Sequence, residues 1–350
     1  MLLAQWSGLG SLRQIVAALR GQTRSFYHLN LREPYRTTLA DANAARPAAV
    51  FRDIAQALLP VAAEALGRTA GREGNELIRL LDASPILLDA RRFTWAEANP
   101  HIRGLKLHLM HDPREHRPVW FDVTSAKVDD LVAGRRAPIE EGAVYVFDKG
   151  YTDYQWWSRI IQANSCFVTR IKCNARRRAV TEMPASGDGI LADRRLKIGH
   201  RQARGGAPQN PLYNTMLREI EVERPDHDTP LRLITNDLTR PAVEIAQLYK
   251  ERWAIELMFK WLKQNLKIKS FLGRSENAVR IQIYTALIAF LLLRILHQTA
   301  ARALKASPTI LLAQIKVALF SPFSLQKPNT PPPKPPCLRP PTPQLTFRFQ

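Results

Sequence analysis

The spacing of apolar side chains changes character along the chain. In the first 75 residues apolar positions recur at helical spacing, as Leu12, Ile15 and Leu19 do before the stop at Gly21. The pattern predicts a helical region over residues 1–75. The chain opens inside a helical pattern without an N-cap, which indicates a missing front end.

Strand-like patterns follow between residues 76 and 172, where apolar residues alternate with polar ones or run together. Three strand patterns come in succession, in LIRLLDASPILL, GLKLHLMHD and RPVWFDVTS. A helix, a strand, a helix and a strand are then predicted, in KVDDLVAGRR, AVYVFDKGY, TDYQWWSRIIQAN and SCFVTRIK. That order indicates an α/β fold in which helices flank a mixed sheet.

The rest of the chain divides into three stretches. Residues 173–235 alternate basic runs with strand-like pieces, which predicts a β-rich basic insertion. Helical spacing returns over residues 236–320 and would complete the core that began before the insertion. Residues 321–350 contain KPNTPPPKPPCLRPPTPQ, whose proline content predicts a disordered tail.

The net charge of the chain limits the classes of partner that it is expected to bind. The 350 residues include 51 Lys and Arg against 31 Asp and Glu, a formal net charge of +20. Such an excess favours polyanions and makes nucleic acid the leading partner, because membrane-binding charge is usually concentrated on one amphipathic helix. The longest apolar run, over 286–293, is too short to cross a bilayer and predicts a buried helix. Three cysteines without metal-binding spacing favour a reducing cytoplasm.

One predicted helix carries an unusual polar row. In YKERWAIELMFKWLKQ, four side chains fall within about 60° of each other around the helix: Tyr249, Arg252, Glu256 and Lys263. Apolar residues form the neighbouring stripe, so the row would lie at the edge of the packed face. The simplest interpretation is a set of ion pairs on a solvated surface, each worth about 0.3–0.5 kcal/mol.

Two aspartates favour a second interpretation of that row. Asp82 lies inside a predicted buried strand, and Asp148 ends another. A buried carboxylate is costly unless it is paired or binds a metal, although an aspartate before Gly150 is also ordinary turn chemistry. With Glu256, the two aspartates form a set of oxygen ligands suited to Mg²⁺. Two metal ions in such a site promote phosphodiester cleavage, while nearby cations hold the substrate's phosphates.

The spacing of the four side chains in the polar row resembles the YREK signature of one family of bacterial insertion-sequence transposases, enzymes with a ribonuclease H-like core and a DDE catalytic triad. FDKGYTDY (147–154) resembles the segment around their second aspartate, and LLDASPILL (80–88) resembles the segment around the first. Asp89 is the nearest alternative to Asp82, but it lies at the exit of the strand. The resemblance covers about residues 20–320 and implies that residues 173–235 interrupt the core.

The resemblance also implies roles for individual residues. Asp82, Asp148 and Glu256 would be catalytic and would hold two Mg²⁺ ions, with Mn²⁺ as a substitute. The other members of the row would bind the DNA at the transposon end, namely Tyr249, Arg252 and Lys263.

The implied reaction is hydrolysis at the ends of an insertion sequence, which gives a 3′-OH, and attack of that 3′-OH on target DNA. The implied partner is double-stranded DNA, as transposon ends and as target, bound by a homodimer on paired ends. Many members use a hairpin intermediate. We expect a cytoplasmic, nucleoid-associated bacterial enzyme with no membrane partner. Relatives carry additional residues before the matched stretch, so residues 1–75 would be a truncated DNA-binding region. A catalytically inactive remnant that only binds DNA and a nuclease without strand transfer are the alternatives.

Three further motifs have simpler interpretations. In HLMHDPREH, alternation along a strand would place His108 and His111 on opposite faces, which argues against a transition-metal site with Asp112 and His116. Core packing is favoured over base stacking for Trp156 and Trp157. The cations of the insertion favour a DNA-contact surface; they are Arg176, Arg177, Arg178, Arg194, Arg195 and Lys197.

Overall fold

The structure is a computed structural model that describes residues 1–21, 32–67, 76–96, 98–99, 102–172, 174–201, 209–224, 228–301 and 307–318. The predicted disordered tail over 321–350 lies outside these residues, as do Cys173 and Cys337.

Four helices occupy the described part of the N-terminal region: α1 (Leu2–Ser7), α2 (Leu12–Arg20), α3 (Arg36–Ala45) and α4 (Ala48–Gly67). Helix α2 begins where the sequence predicts, because the Ser11 side chain accepts a hydrogen bond from the amide of Gln14 and caps the first turn. It ends at Gly21, also as predicted.

Six strands follow: β1 (Ile78–Leu87), β2 (Ala98–Asn99), β3 (Ile102–Asp112), β4 (Arg117–Ser125), β5 (Val144–Phe147) and β6 (Cys166–Arg170). The main strands are ordered β4–β3–β1–β5–β6, and the short β2 pairs with β3. β3 is antiparallel to both β4 and β1, whereas β1, β5 and β6 run parallel to one another. The sheet is therefore mixed, as predicted.

Four more strands extend the same sheet beyond β6. They are β7 (Arg177–Met183), β8 (Ile190–Ile198), β9 (Leu217–Val222) and β10 (Leu231–Thr235). The order continues β6–β10–β9–β8–β7, with antiparallel pairing throughout. This stretch therefore continues the central sheet and does not form a separate layer.

Helices cover both faces of the sheet, which confirms the predicted arrangement. Helices α5 (Asp130–Gly134) and α6 (Tyr154–Gln162) lie on one face, where Trp156 and Trp157 are buried against Phe147 and Phe167 as core residues. The other face packs against α4 and against helices from the C-terminal part of the chain. These are α7 (Ala242–Glu251), α8 (Trp253–Asn265) and α9 (Glu276–Leu296). The last helix, α10 (Pro308–Ala318), packs against α9 and against Trp6 and Trp261, away from the sheet.

Helix α9 is longer than its apolar run indicates. Residues 276–299 form a helical segment of 24 residues that is long and apolar enough, by length and composition, to cross a membrane. The prediction that this stretch is too short was therefore wrong. However, 72% of the segment's apolar window is buried inside the protein, where it packs against α1, α4 and the sheet. The helix occupies the position of a core helix, as predicted.

The N-terminal helices share this core. The Gln5 side chain donates to the carbonyl of Gln282 at 3.1 Å and accepts from the amide of Lys267 at 2.7 Å. Ala48 and Ala55 belong to the same buried cluster as the sheet. The DNA-binding role of residues 1–75 stays a prediction, but their described helices are built into the main core.

Gln282 holds the connection between α8 and α9. Its buried amide donates to the carbonyls of Lys267 and Ser270, at 2.5 and 2.7 Å, and accepts from the amide of Leu272 at 2.9 Å. One side chain therefore satisfies three backbone groups of the loop that follows α8.

Replacement of this glutamine tests that role. We expect Gln282→Leu to destabilise the protein by about 2–4 kcal/mol, because each buried backbone group left without a partner costs about 1–3 kcal/mol. Thermal and urea unfolding would measure the loss. Gln264→Leu on the exposed side of α8 is the matched control and should change stability by less than about 0.5 kcal/mol. Equal effects of the two substitutions would contradict this account.

Candidate active site

The parallel pairing of β1 and β5 brings the two predicted aspartates together. Leu81 pairs with Phe147, so the next residues, Asp82 and Asp148, lie side by side on strands about 4.8 Å apart. Phe147 in turn pairs with Thr169 of β6, which places Arg170 beside Asp148. Two carboxylates and a guanidinium therefore form a row across three parallel strands.

Side chains at neighbouring positions of paired strands point to the same face, and here that face is the one covered by α7 and α8. Leu80, Val146 and Val168, two residues before the members of the row, are buried in one cluster with Ile255 and Met258 of α8. Because side chains alternate along a strand, the row itself lies at the margin of that apolar contact. There it meets the polar edge of the two helices.

The polar row of the sequence spans a break between these helices. Helix α7 ends at Glu251 and α8 begins at Trp253, so the prediction of one continuous helix was wrong at Arg252. The amide of Arg252 bonds to the carbonyl of Tyr249, and the amide of Ile255 bonds to the carbonyl of Arg252, both at three-residue spacing. This tightening keeps the chain helical enough to leave the polar row on one side.

Arg252 joins two of the predicted acids. Its Nη2 lies 2.6 Å from Glu256 Oε1, and its Nη1 lies 3.9 Å from Asp82 Oδ2. The third acid has other partners, since Tyr249 Oη donates to Asp148 Oδ1 at 3.4 Å and Arg170 Nη1 lies 3.7 Å from the same oxygen.

Residues far apart in the sequence therefore meet at one place. The structure brings together the three predicted acids, the predicted Tyr249 and Arg252, and Arg170, which was not predicted.

The hydrogen bonds that Asp148 and Asp89 make to nearby backbone groups show which of the two serves a turn. Asp148 precedes a turn of 3₁₀ helix (Lys149–Tyr151), yet its side chain makes no capping hydrogen bond there. Asp89, the alternative to Asp82, is exposed and accepts the amide of Arg91 in its own turn at 2.7 Å. The turn-chemistry interpretation therefore applies to Asp89 and not to Asp148.

Burial and neighbouring charges perturb Asp82. Burial and, to a lesser extent, the carboxylates of Glu256 and Asp148 raise the pKa of Asp82 to about 6, against the opposing effects of the Ala83 amide and of Arg252. Burial likewise raises the pKa of Tyr249 to about 12, so the phenol stays protonated and can donate to Asp148. The site holds more negative charge than its own arginines compensate.

The donor set fits a hard divalent cation. All three acids are oxygen donors, and their side chains are 23% (Asp82), 35% (Asp148) and 34% (Glu256) exposed, so an ion can reach them. Within the described residues no three His, Cys, Asp or Glu side chains are close enough together to hold a metal as they stand. The guanidinium of Arg252 lies between Asp82 and Glu256 in this structure.

Lys263 lies apart from this cluster. It follows Glu256 by seven residues, about 10 Å along the helix axis, and makes no hydrogen bond or ion pair that the described residues show. Burial lowers the pKa of Lys263, and the nearby ammonium of Lys269 lowers it further. The two lysines form a cationic pair with no carboxylate partner in the part of the chain that the structure describes, and Lys269 was also not predicted from the sequence.

Most cations of the basic insertion are consumed by internal contacts. Arg177 and Arg194 form ion pairs with the buried Glu219 at 2.7 and 3.4 Å. Arg178 donates to the carbonyl of Tyr213 and stacks on its ring at 3.6 Å, and Arg195 donates to a backbone carbonyl. Four of the six cations predicted to contact DNA therefore already have partners within the protein, and the DNA-contact role of this region stays a prediction.

Residues 73–292, which include all three acids, match the transposase DDE domain family. The chain belongs to this family. A protein of Sinorhizobium fredii that is named as a transposase is 45% identical over 267 residues, which are 75% of this chain and 71% of that protein.

Two further relatives are named as insertion-sequence transposases. The protein from Geobacillus stearothermophilus is 26% identical over 63% of this chain and 56% of its own length. The protein from Synechocystis is 30% identical over 45% of this chain and 42% of its own length. A piggyBac transposase synaptic complex with hairpin DNA aligns with a TM-score of 0.42 at 10% identity, over 69% of this chain and 52% of that one. A similarity at that level establishes no common fold.

The predicted function is confirmed at the level of the family. The protein is a DDE transposase, an enzyme that cleaves DNA and transfers strands, and this class uses divalent metal ions. The comparisons give no support to the alternative of an inactive remnant. The YREK subfamily is a finer assignment than the family match.

The pKa of Asp82 predicts how stability depends on pH. Since the folded-state value lies above the ordinary 3.8, ionisation of Asp82 disfavours folding, and stability falls as pH rises from about 4 to about 6. Asp82→Asn removes the charge but keeps an oxygen for the amide of Ala83. We expect the variant to be more stable than the wild type by about 1–3 kcal/mol at pH 7.5, with the difference gone near pH 4.

Unfolding curves in metal-free buffer would measure this difference. Added Mg²⁺ should stabilise the wild type and narrow the gap, and Asp89→Asn is the control that should show no such gain. Equal stability of wild type and Asp82→Asn at pH 7.5 would contradict the proposed crowding of charge.

Proposed function

We propose that this DDE transposase moves an insertion sequence by cleavage at the element's ends and 3′-OH strand transfer into target DNA, with Asp82, Asp148 and Glu256 as its triad. The single observation that carries the assignment is the pairing of Leu81 with Phe147. It places both aspartates side by side on the face where Arg252 bonds Glu256. Asp89, the rival, serves its own turn.

The fold supports a finer assignment to the ribonuclease H-like class. The order β4–β3–β1–β5–β6, with the first two pairings antiparallel and the last two parallel, gives a compact mixed sheet. In open sheets, ligand sites form at the carboxyl ends of parallel strands. Asp148 and Arg170 lie at such ends, and β7–β10 would be the insertion of such a core.

The same three acids would hold the metal. Asp82, Asp148 and Glu256 would bind two Mg²⁺ ions or Mn²⁺. Such ions polarise the scissile phosphate and stabilise the attacking and leaving oxygens. The repulsion of Asp82 by Glu256 and Asp148, which adds to the effect of burial on the pKa of Asp82, supports this role, because an excess of negative charge at a reachable site favours cation binding.

Arg252 would exchange partners during the reaction cycle. In the free protein it neutralises Glu256 and approaches Asp82. A phosphodiester offers the same guanidinium two oxygens in a favourable geometry. Transfer of Arg252 to a DNA phosphate would free Glu256 to join the aspartates, so that substrate and metal binding favour one another.

The other members of the polar row would orient the acids or bind the substrate. Tyr249 donates to Asp148 through its hydroxyl and would orient that carboxylate. Lys263, with Lys269 beside it, would bind phosphates farther along the same DNA strand. These positions support membership of the YREK-signature subfamily.

Double-stranded DNA would be the partner, as element ends and as target, bound by a homodimer on paired ends. The net charge of +20 supports the choice of a polyanion. A protein with these partners would work at the nucleoid in the bacterial cytoplasm.

The triad assignment predicts a separation of cleavage from binding. Glu256→Gln should reduce Mg²⁺-dependent cleavage of a duplex carrying the element's end by about 10³-fold or more, because one of the metal's oxygen ligands loses its charge. DNA affinity should change by less than about threefold. Glu244→Gln, exposed on the adjacent α7, is the matched control. Normal cleavage by Glu256→Gln would rule out the assignment.

The lysine pair predicts a change in salt dependence. If Lys263 and Lys269 each bind a phosphate, Lys263→Ala with Lys269→Ala should lower the slope of log affinity against log salt by about 2. Fluorescence anisotropy with a labelled element end at several salt concentrations would give the slope. Lys260→Ala, exposed on the same helix, should change it less. An unchanged slope in the double variant would place the DNA elsewhere.

A further inference from the structure

A cleft with a volume of about 450 Å³ lies on the face of the sheet opposite α7 and α8. Its wall includes Tyr154 and Trp157 of α6 and Ile171, the residue after β6. Trp157 and Ile171 belong to the apolar core of that face. The volume is in the range of pockets that hold drug-sized ligands, about 300–1,000 Å³. The cleft can therefore admit a sugar–phosphate segment of one DNA strand, whereas a duplex would lie across its mouth.

Positive charge predominates in the wall of the cleft. Of the described residues, Arg135, Lys172 and Arg176 line it against a single acid, Asp153. That carboxylate is already engaged, because it is 7% exposed, caps α6 by accepting the amide of Gln155 at 2.9 Å and forms an ion pair with Arg135. Lys172 and Arg176 are therefore left without a counter-charge in the cleft.

The two remaining cations are available to a ligand. Both are exposed. Arg176 donates to Nδ1 of His200 at 3.2 Å, and neither Arg176 nor Lys172 forms an ion pair with a residue that the structure describes. The exposed amide of Asn174 lies between them in the sequence and also lines the cleft. Lysine, arginine and asparagine are side chains that contact DNA phosphates, so these donors suit a DNA backbone.

The cleft opens close to the proposed triad. Lys172 follows Arg170 by two residues, so their Cα atoms are at most about 7 Å apart. Arg170 in turn lies beside Asp148. Thr152, which follows Asp148 after the short 3₁₀ turn, also lines the cleft. A DNA strand that enters the cleft can therefore extend to the carboxylates of the triad.

Strand transfer brings two DNA molecules to one triad, and the free cations lie on two sides of it. Lys263 and Lys269, proposed to bind the element end, belong to α8 and the loop after it, on one face of the sheet. Lys172 and Arg176 lie at the cleft on the α6 side. Asp148 lies between them in the fold, at the end of β5, where the chain passes from the sheet toward α6.

We propose that this cleft binds the backbone of the target DNA through Lys172 and Arg176, while the element end is held on the α8 side. The inference rests on the proposed function, because only strand transfer requires a second DNA molecule at the triad. Contacts to phosphates carry no sequence information, so this cleft would accept target DNA of any sequence.

A strand-transfer assay with the full chain tests this placement. The substrates are a pre-cut element end with a free 3′-OH, at saturating concentration, and a plasmid as target, in the presence of Mg²⁺. We expect Lys172→Ala with Arg176→Ala to lower the yield of joined product about tenfold or more at limiting plasmid concentration, because two phosphate contacts are lost. The yield should recover as the plasmid concentration is raised, since the catalytic groups are unchanged.

Cleavage of an uncut element end by the same double variant is the second measurement. It should fall by less than about threefold, which would also show that the variant folds. Lys172→Arg with Arg176→Lys keeps both charges and should join ends to the plasmid within about threefold of the wild type. The matched control is Arg13→Ala with Lys316→Ala, which removes two exposed cations from α2 and α10 and should leave joining unchanged.

The outcomes separate this inference from the proposed function. If the wild type forms no joined product, the proposed function fails and this inference fails with it. If the wild type joins the ends and Lys172→Ala with Arg176→Ala does so equally well at limiting plasmid, only the placement of the target is overturned. Equal losses of cleavage and joining in the double variant would mean that the cleft holds the element end, which also overturns the proposal.

Discussion

The parallel pairing of β1 with β5 is the constraint on which the site depends. Parallel strands need a long crossover, and here β3, β4 and α5 lie between the paired strands in the sequence. The register that sets Leu81 against Phe147 puts Asp82 beside Asp148. A slip of one residue would turn one aspartate to the opposite face, where Trp156 and Trp157 fill an apolar core. The packing on both faces therefore fixes the register, and the register in turn sets the positions of the two aspartates.

The helices complete what the sheet begins. Leu248, Ile255 and Met258 are buried against the strands, and this packing sets the rotation of α7 and α8. With the helices in this orientation, the polar side chains lie at the margin of the apolar contact, where the aspartates are. The break at Arg252 is compatible with this because the backbone stays in the helical region, with φ −51° and ψ −30°. Arg252 links the acids of sheet and helix in the free protein and would release them to a substrate.

The sequence predicts most of this fold and part of the site. Periodicity identifies β1, β5 and α8 because their apolar positions are numerous and regular. Spacing within one helix locates Tyr249, Arg252 and Glu256, since helical geometry is local. Arg170 and Lys269 could not be found in this way. The first depends on which strand lies beside β5, and the second on how the loop after α8 folds back, and neither is encoded in local spacing.

Net charge predicts the class of partner but not which cations remain free to bind it. A formal charge of +20 counts every arginine equally. In the folded chain the arginines are not equivalent, because those of β7 and β8 neutralise the buried Glu219 and its neighbour Glu221. Lys263 in α8 and Lys269 in the loop after it form no ion pair within the described residues. Composition can name a polyanion as the partner, but only the pairing of charges in the folded chain shows where positive potential remains for it.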